Sequence, residues 1–142
     1  MTTRSLKVSK IKRPGVTGGL RHVALFCSDL DACVTFYVDM LGMKIEWQPD
    51  TDNVYLCSGN DNLALHRAPK EFDVSGDQRL DHIGFILREI KHVDEWHAFF
   101  VANDVKIMAV PRTHRDGARS FYCHDPEGNT VQLIYHPPIA DK

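Results

Sequence analysis

Two histidines occupy similar places in the chain, sixty residues apart. His22 lies near the start of the apolar stretch "GLRHVALFCSDL" at 19–30, and His82 near the start of "RLDHIGFIL" at 79–87. An imidazole can transfer a proton near neutral pH or bind Zn, Fe, Ni or Mn. One such histidine is more often a hydrogen-bonded structural residue, but two at duplicated positions favour a pair of metal ligands.

The elements that must position these histidines are predicted to form a repeat. After the first strand, apolar residues at helical spacing predict a helix with Ser28 as N-cap and Gly42 as its stop, and three short strands follow. The second half repeats this order, with a helix that ends near Asn103. The sequence therefore predicts an α+β fold of two tandem β-α-β-β-β modules.

The boundaries follow from this repeat. We expect one domain over 20–137, with module one at 20–66, a linker at 67–79 and module two at 80–137. Residues 1–19 contain five basic residues and no acidic one, and we expect them to be a flexible basic arm.

Strand alternation predicts which side chains share a sheet face. If the apolar residues of each strand pack on the helices, five polar side chains lie on the opposite faces. These are His22, His66, His82, Tyr122 and Gln132. Polar groups there are costly unless they are hydrogen-bonded or bind a ligand, so the pattern indicates a functional face.

Composition excludes several classes of partner. Residues 20–142 hold 12 Lys and Arg against 19 Asp and Glu, which disfavours binding to nucleic acid. No apolar run approaches the roughly 20 residues of a membrane span. The four cysteines form no C-x-x-C pair, so we expect small buried hydrophobic residues in a reduced, cytoplasmic protein.

Three segments together resemble the vicinal oxygen chelate superfamily, which includes glyoxalases, fosfomycin-resistance enzymes, bleomycin-binding proteins and extradiol dioxygenases. The segments are "RHVALFCSDLDACVTFYVDMLGMKI", "LDHIGF" and "GARSFYCHDPEGNTVQLIYHP", and the likeness spans 20–137. It implies a cupped mixed β-sheet made by the two modules. It also implies a metal held by His22, His82 and Gln132.

The remaining positions separate the subfamilies. Glyoxalases usually have carboxylates where this chain has Ala64 and Gln132, and without them their proton shuttle lacks its base. Fosfomycin-resistance enzymes typically have a tyrosine where this chain has Ile83, so that match is poor. The extradiol pattern fits better, although Arg112 and Gln132 replace a small or apolar residue and a glutamate.

The resemblance implies an extradiol-type dioxygenase that cleaves a catechol-like diol. His66 would be the acid/base group, while His114 and Tyr122 would hydrogen-bond the substrate oxygen. Fe(II) is the expected metal, with Mn(II) or Zn(II) as alternatives, and we expect a homodimer. Two other classes stay open: another metal-dependent enzyme of the superfamily, an isomerase or a thiol transferase, and a non-catalytic small-molecule-binding protein of the bleomycin-resistance type, which the uncharged Gln132 favours.

Overall fold

The computed structural model describes residues 20–70 and 80–142. The expected N-terminal arm and residues 71–79 of the expected linker lie outside the described residues. Both halves have the predicted β-α-β-β-β order. The elements are β1 (His22–Cys27), α1 (Leu30–Val34), which continues as a π-helical segment (Thr35–Met40), β2 (Lys44–Trp47), β3 (Asn53–Cys57), β4 (Asn62–Arg67), β5 (Ile83–Ile86), α2 (Lys91–Ala102), β6 (Ile107–Thr113), β7 (Arg119–His124) and β8 (Thr130–Tyr135).

The two modules form two four-stranded sheets with the same topology. The strand order is β1-β4-β3-β2 in module one and β5-β8-β7-β6 in module two. In each sheet the first strand is parallel to the last strand of its module, and the other pairs are antiparallel. The predicted duplication and the α+β class are confirmed.

Each sheet has an apolar face toward the helices and a second face that we call the polar face. In β1 the side chains of Val23, Leu25 and Cys27 pack into the core, whereas His22 and Phe26 are exposed on the other side. Strand β5 repeats this alternation, as predicted from the sequence. Both histidines therefore belong to the polar faces of their modules.

The helix-facing sides of the two sheets share one apolar core. Phe36 of the π-helical segment packs against Phe100 of α2, with ring centroids 6.2 Å apart. Tyr37 packs against Phe85 of β5 at 6.3 Å. The core joins the modules from the helical side and leaves the polar faces outside it.

The start of α1 differs from the prediction. Ser28 is not the N-cap, because the helix begins at Leu30 and the Asp29 side chain accepts the amide hydrogen of Ala32 at 3.0 Å. The expected stop is confirmed: Gly42 has a φ of 80°, which a residue with a side chain rarely adopts.

A turn of module two completes this helix start. The buried Glu127 carboxylate accepts the backbone amides of Ser28 and Asp29 at 2.7 and 2.8 Å. The neighbouring Asp125 accepts the Tyr37 hydroxyl at 2.7 Å. Burial, and then the Asp125 charge, hold the pKa of the Tyr37 phenol well above its usual range. The segment "DPEGN" at 125–129 therefore joins the two modules.

The four cysteines are free thiols, and three of them are buried as predicted. Cys57 is half-buried and departs from that prediction. Burial raises the pKa of the Cys123 thiol to about 12, so this group is protonated and unreactive at neutral pH. None of the helices in the described residues is long and apolar enough to span a membrane.

Candidate functional site

Gln132 lies at the centre of the polar face of module two. Register pairs it with Gly84 of β5 on one side and with Tyr122 of β7 on the other. Its side chain is buried, and its amide nitrogen donates to the hydroxyls of Ser120 and Tyr122, both at 3.0 Å. The carbonyl oxygen Oε1 has no partner among the described residues and lies beside Gly84, 3.7 Å from where a Cβ would be placed.

The amide at position 132 decides the direction of these hydrogen bonds. An NH2 group can only donate, so the Tyr122 oxygen accepts and its own proton is free for another acceptor. A glutamate at this position would only accept, and Tyr122 would have to donate to it. Gln132 thus leaves Tyr122 available as a donor to a ligand oxygen.

His114 and Arg112 extend the same network away from Gln132. His114 Nε2 lies 3.0 Å from the Ser120 hydroxyl, and its Nδ1 lies 3.4 Å from the Arg112 guanidinium. A guanidinium only donates, so Nδ1 accepts and Nε2 carries the proton given to Ser120. Both ring nitrogens of His114 are engaged within the protein.

His82 lies on the same face, immediately before β5. Its Nδ1 donates to the Asp81 carboxylate at 2.6 Å, and its ring meets the Tyr122 ring edge-on with centroids 5.4 Å apart. Because Nδ1 carries the proton, the lone pair is on Nε2. The structure therefore brings His82, Tyr122 and Gln132 together, with His114 one hydrogen bond further away.

His22 lies on the polar face of module one. The β1–β4 register places it opposite Asn62, whose Oδ1 is 2.7 Å from His22 Nδ1. The Asn62 amide nitrogen donates in turn to Glu46 at 2.8 Å. Glu46 can only accept, so Asn62 must turn its oxygen to the histidine, and the lone pair of His22 is on Nε2.

His66 has an equivalent arrangement on the same sheet. The β3–β4 register places it opposite Asn53, whose Oδ1 is 2.6 Å from His66 Nδ1. The Asn53 amide nitrogen donates to both oxygens of Asp50, at 2.9 and 3.1 Å. The His66 ring meets the edge of Tyr55, which stacks on the exposed Trp47.

The three predicted metal ligands are chemically suited to a divalent ion. In each, hydrogen bonds occupy the atom that would not coordinate, and the coordinating atom has no partner in residues 20–70 and 80–142. The available donors are His22 Nε2, His82 Nε2 and Gln132 Oε1. Such outer hydrogen bonds orient ligands in many metal sites. No group of three His, Cys, Asp or Glu residues in the described part forms a metal site.

The structure divides the six predicted residues between the modules. Among residues 20–70 and 80–142, the hydrogen-bond partners of His22 and His66 are in module one, whereas those of His82, His114, Tyr122 and Gln132 are in module two. A cavity of about 520 Å³ is lined by residues of β1, β5 and the β3–β4 turn, and none of the six residues lines it.

Comparison with known proteins identifies the superfamily to which the chain belongs. Residues 19–133 match the model of the Glyoxalase/Bleomycin resistance protein/Dioxygenase superfamily. The chain belongs to this superfamily. Metallothiol transferase FosB of Staphylococcus saprophyticus is 27% identical over 117 residues, which cover 80% of this chain and 74% of FosB.

Solved structures of similar proteins have the same fold. A lactoylglutathione lyase from Agrobacterium tumefaciens has a TM-score of 0.70 and 24% identity, over 87% of this chain and 96% of its own. A glyoxalase/bleomycin resistance protein/dioxygenase from Alicyclobacillus acidocaldarius has a TM-score of 0.65 and 25% identity, over 84% and 92%. The resemblance inferred from the motifs is confirmed at the level of the superfamily.

Four residues that contact the predicted site residues were not predicted. Asn62, Asn53, Asp81 and Ser120 each hydrogen-bond one or more of them. Asp81 directly precedes His82, so a carboxylate beside a histidine was a signal for one of the four. The asparagines are 40 and 13 residues from their histidines, and only the strand register reveals the pairs.

Proposed function

We propose that the protein is a metal-dependent enzyme that acts on a small molecule with two adjacent oxygen atoms. The observation that carries this proposal is the set of three donor atoms left open by hydrogen bonds, at His22, His82 and Gln132. Two imidazoles and one amide oxygen leave room on a divalent ion for two substrate oxygens. Within this class we propose extradiol cleavage of a catechol.

A divalent ion bound there would polarise the two substrate oxygens and, as Fe(II), would supply electrons for the activation of O2. Tyr122 would donate its free proton to a substrate oxygen as negative charge develops on it. His66, with its Nε2 lone pair directed away from Asn53, would accept or return a proton. The direct hydrogen bond from His114 to the substrate, expected from the sequence, is replaced in this proposal by a positioning role, because its two ring nitrogens contact Ser120 and Arg112.

We also propose that two copies of the chain complete the site. Phe26 lies four residues after His22, and Ile86 four residues after His82, and both are exposed on the polar faces, by 60% and 44%. Large apolar side chains at equivalent places in both modules favour a surface that is covered by protein. A second copy that covers both faces would bring His22 and His66 of one chain to His82 and Gln132 of the other.

Ring cleavage of catechols tests the activity. Fe(II)-loaded protein, offered a panel of catechols, should consume oxygen and form the yellow ring-opened product. His66→Ala should slow this by about 10²-fold or more with metal content unchanged, which is the usual scale for a lost acid/base group. His92→Ala, on α2 and away from the polar face, is the control. Absence of oxygen uptake with every catechol would overturn the dioxygenase proposal.

Thiol transfer is the second candidate, favoured by the similarity to metallothiol transferase FosB over 80% of this chain. One of the two substrate oxygens would then belong to an epoxide: the thiol sulfur would bond to an epoxide carbon, the carbon–oxygen bond at that carbon would break, and the released oxygen would take up the thiol proton. The test supplies Mn(II)-loaded protein with fosfomycin and a low-molecular-weight thiol and follows thiol consumption. Consumption without oxygen uptake would favour the transferase, whereas tight metal-free binding of small aromatics without turnover would favour a binding protein.

A further inference from the structure

Two hydrogen-bond networks, each made of a histidine, an asparagine and a carboxylate, lie on the polar face of module one. Each runs from a histidine through an asparagine to a carboxylate: His22–Asn62–Glu46, and His66–Asn53–Asp50. In both, the histidine and asparagine are direct partners in the strand register. The two networks share no residue, so the arrangement occurs twice independently.

In each network the carboxylate fixes the direction of the hydrogen bonds. Glu46 and Asp50 can only accept hydrogen bonds, so each asparagine directs its NH2 toward the carboxylate and its oxygen toward the histidine. The histidine must then donate from Nδ1. Which nitrogen of a histidine binds a metal or a proton is set by the hydrogen bond of the other.

We propose that Asn62 and Asn53 are positioning residues that hold His22 and His66 in the Nδ1–H tautomer. The Nε2 lone pairs are then available, at His22 for the metal and at His66 for a proton. For these two roles the inference rests on the proposed function, but the tautomers themselves do not depend on it. The carboxylates act through the asparagines, two hydrogen bonds from each imidazole.

The tautomers are measurable in the metal-free full chain. Long-range ¹H–¹⁵N NMR spectra at about pH 8.5, well above the usual imidazole pKa, show which nitrogen carries the proton in each neutral histidine. We expect Nδ1–H in His22 and His66 of the wild-type protein. Asn62→Leu should abolish this preference in His22 only, and Asn53→Leu in His66 only. His82, held by Asp81, is the internal control.

Changes at the exposed Glu46 keep the test independent of folding. Glu46→Lys replaces an acceptor by a donor, so Asn62 should turn its oxygen to the lysine and offer its NH2 to His22, which moves the proton to Nε2. The double variant Asn62→Asp/Glu46→Gln has the net charge of the wild type and places a carboxylate acceptor beside His22. Unlike Glu46→Lys, it should therefore show the Nδ1–H tautomer. The inference would be overturned if His22 of the wild-type protein carried its proton on Nε2, or if neither Asn62→Leu nor Glu46→Lys changed the His22 tautomer.

A metal titration separates this inference from the proposed function. With Co(II) as the probe, Asn62→Leu should weaken binding by about 10- to 100-fold, the usual effect of losing an outer hydrogen bond to a ligand. Asn53→Leu should leave Co(II) affinity unchanged, because His66 is not a ligand. A protein with the expected tautomers that binds no divalent metal would overturn the proposed function and support the positioning role of the asparagines.

Discussion

The two modules have the same strand order and register but carry different chemistry on their polar faces. In module one, two histidines are each oriented by an asparagine and a carboxylate. In module two, Gln132 donates to Ser120 and Tyr122, and His82 contacts a carboxylate directly. The backbone repeat therefore supplies equivalent positions, and different polar residues fill them in the two modules.

The difference between the modules is clearest at one pair of equivalent positions, 64 and 132. The register places Ala64 opposite Tyr55 in module one, and Gln132 opposite Tyr122 in module two. A small buried alanine leaves the first position without a polar group, whereas the glutamine fills the second with a donor and an open oxygen.

The largest expected effect concerns the β7–β8 turn. Glu127→Ala would leave the Ser28 and Asp29 amides at the start of α1 without acceptors, which should lower the free energy of unfolding by about 3 kcal/mol. In module one the equivalent turn is closed locally, with Asp61 accepting the Ser58 amide. Asp61→Ala should cost less than about 1 kcal/mol. Equal urea midpoints for the two variants would contradict the assignment of Glu127 as the junction between modules.

A second comparison concerns the absence of a carboxylate charge at position 132. Gln132→Glu preserves the shape and adds a negative charge beside the cation, so Fe(II) affinity should rise by about tenfold or more. The same change turns the Tyr122 hydroxyl toward position 132, so the affinity for a catechol should fall. Anaerobic titration measures the first and competition with a catechol the second. An Fe(II) affinity equal to that of wild type would remove Gln132 from the ligand set.

The smallest expected effect is a pH dependence specific to module two. Desolvation, and then Lys106, lower the pKa of His124, while Asp125 opposes them. The equivalent position in module one is Cys57. Since the folded protein binds the His124 proton more weakly than the unfolded chain, stability is lost as the pH falls below about 6.5. His124→Gln should flatten urea midpoints between about pH 5 and 7, and an unchanged slope would argue against this origin.

The sequence predicted the repeat and the polar faces because both depend on local periodicity. Alternation in β1 and β5 was enough to place His22 and His82 away from the core. The orientation of those histidines was not predictable, because Asn62 meets His22 only through the pairing of β1 with β4. Likewise, nothing local indicates that Glu127 completes a helix almost a hundred residues earlier in the chain.

Mixing two defective variants tests whether the polar faces of both modules build a metal site that two copies of the chain share. His22→Ala and His82→Ala should each bind almost no Fe(II) alone. After the two are unfolded together and refolded as a mixture, half of the dimers should be mixed, and each mixed dimer should have one intact site, about one quarter of the wild-type metal content. Metal content that stays at the level of the separate variants, or a His22→Ala protein that retains its iron, would contradict a metal site shared between two copies.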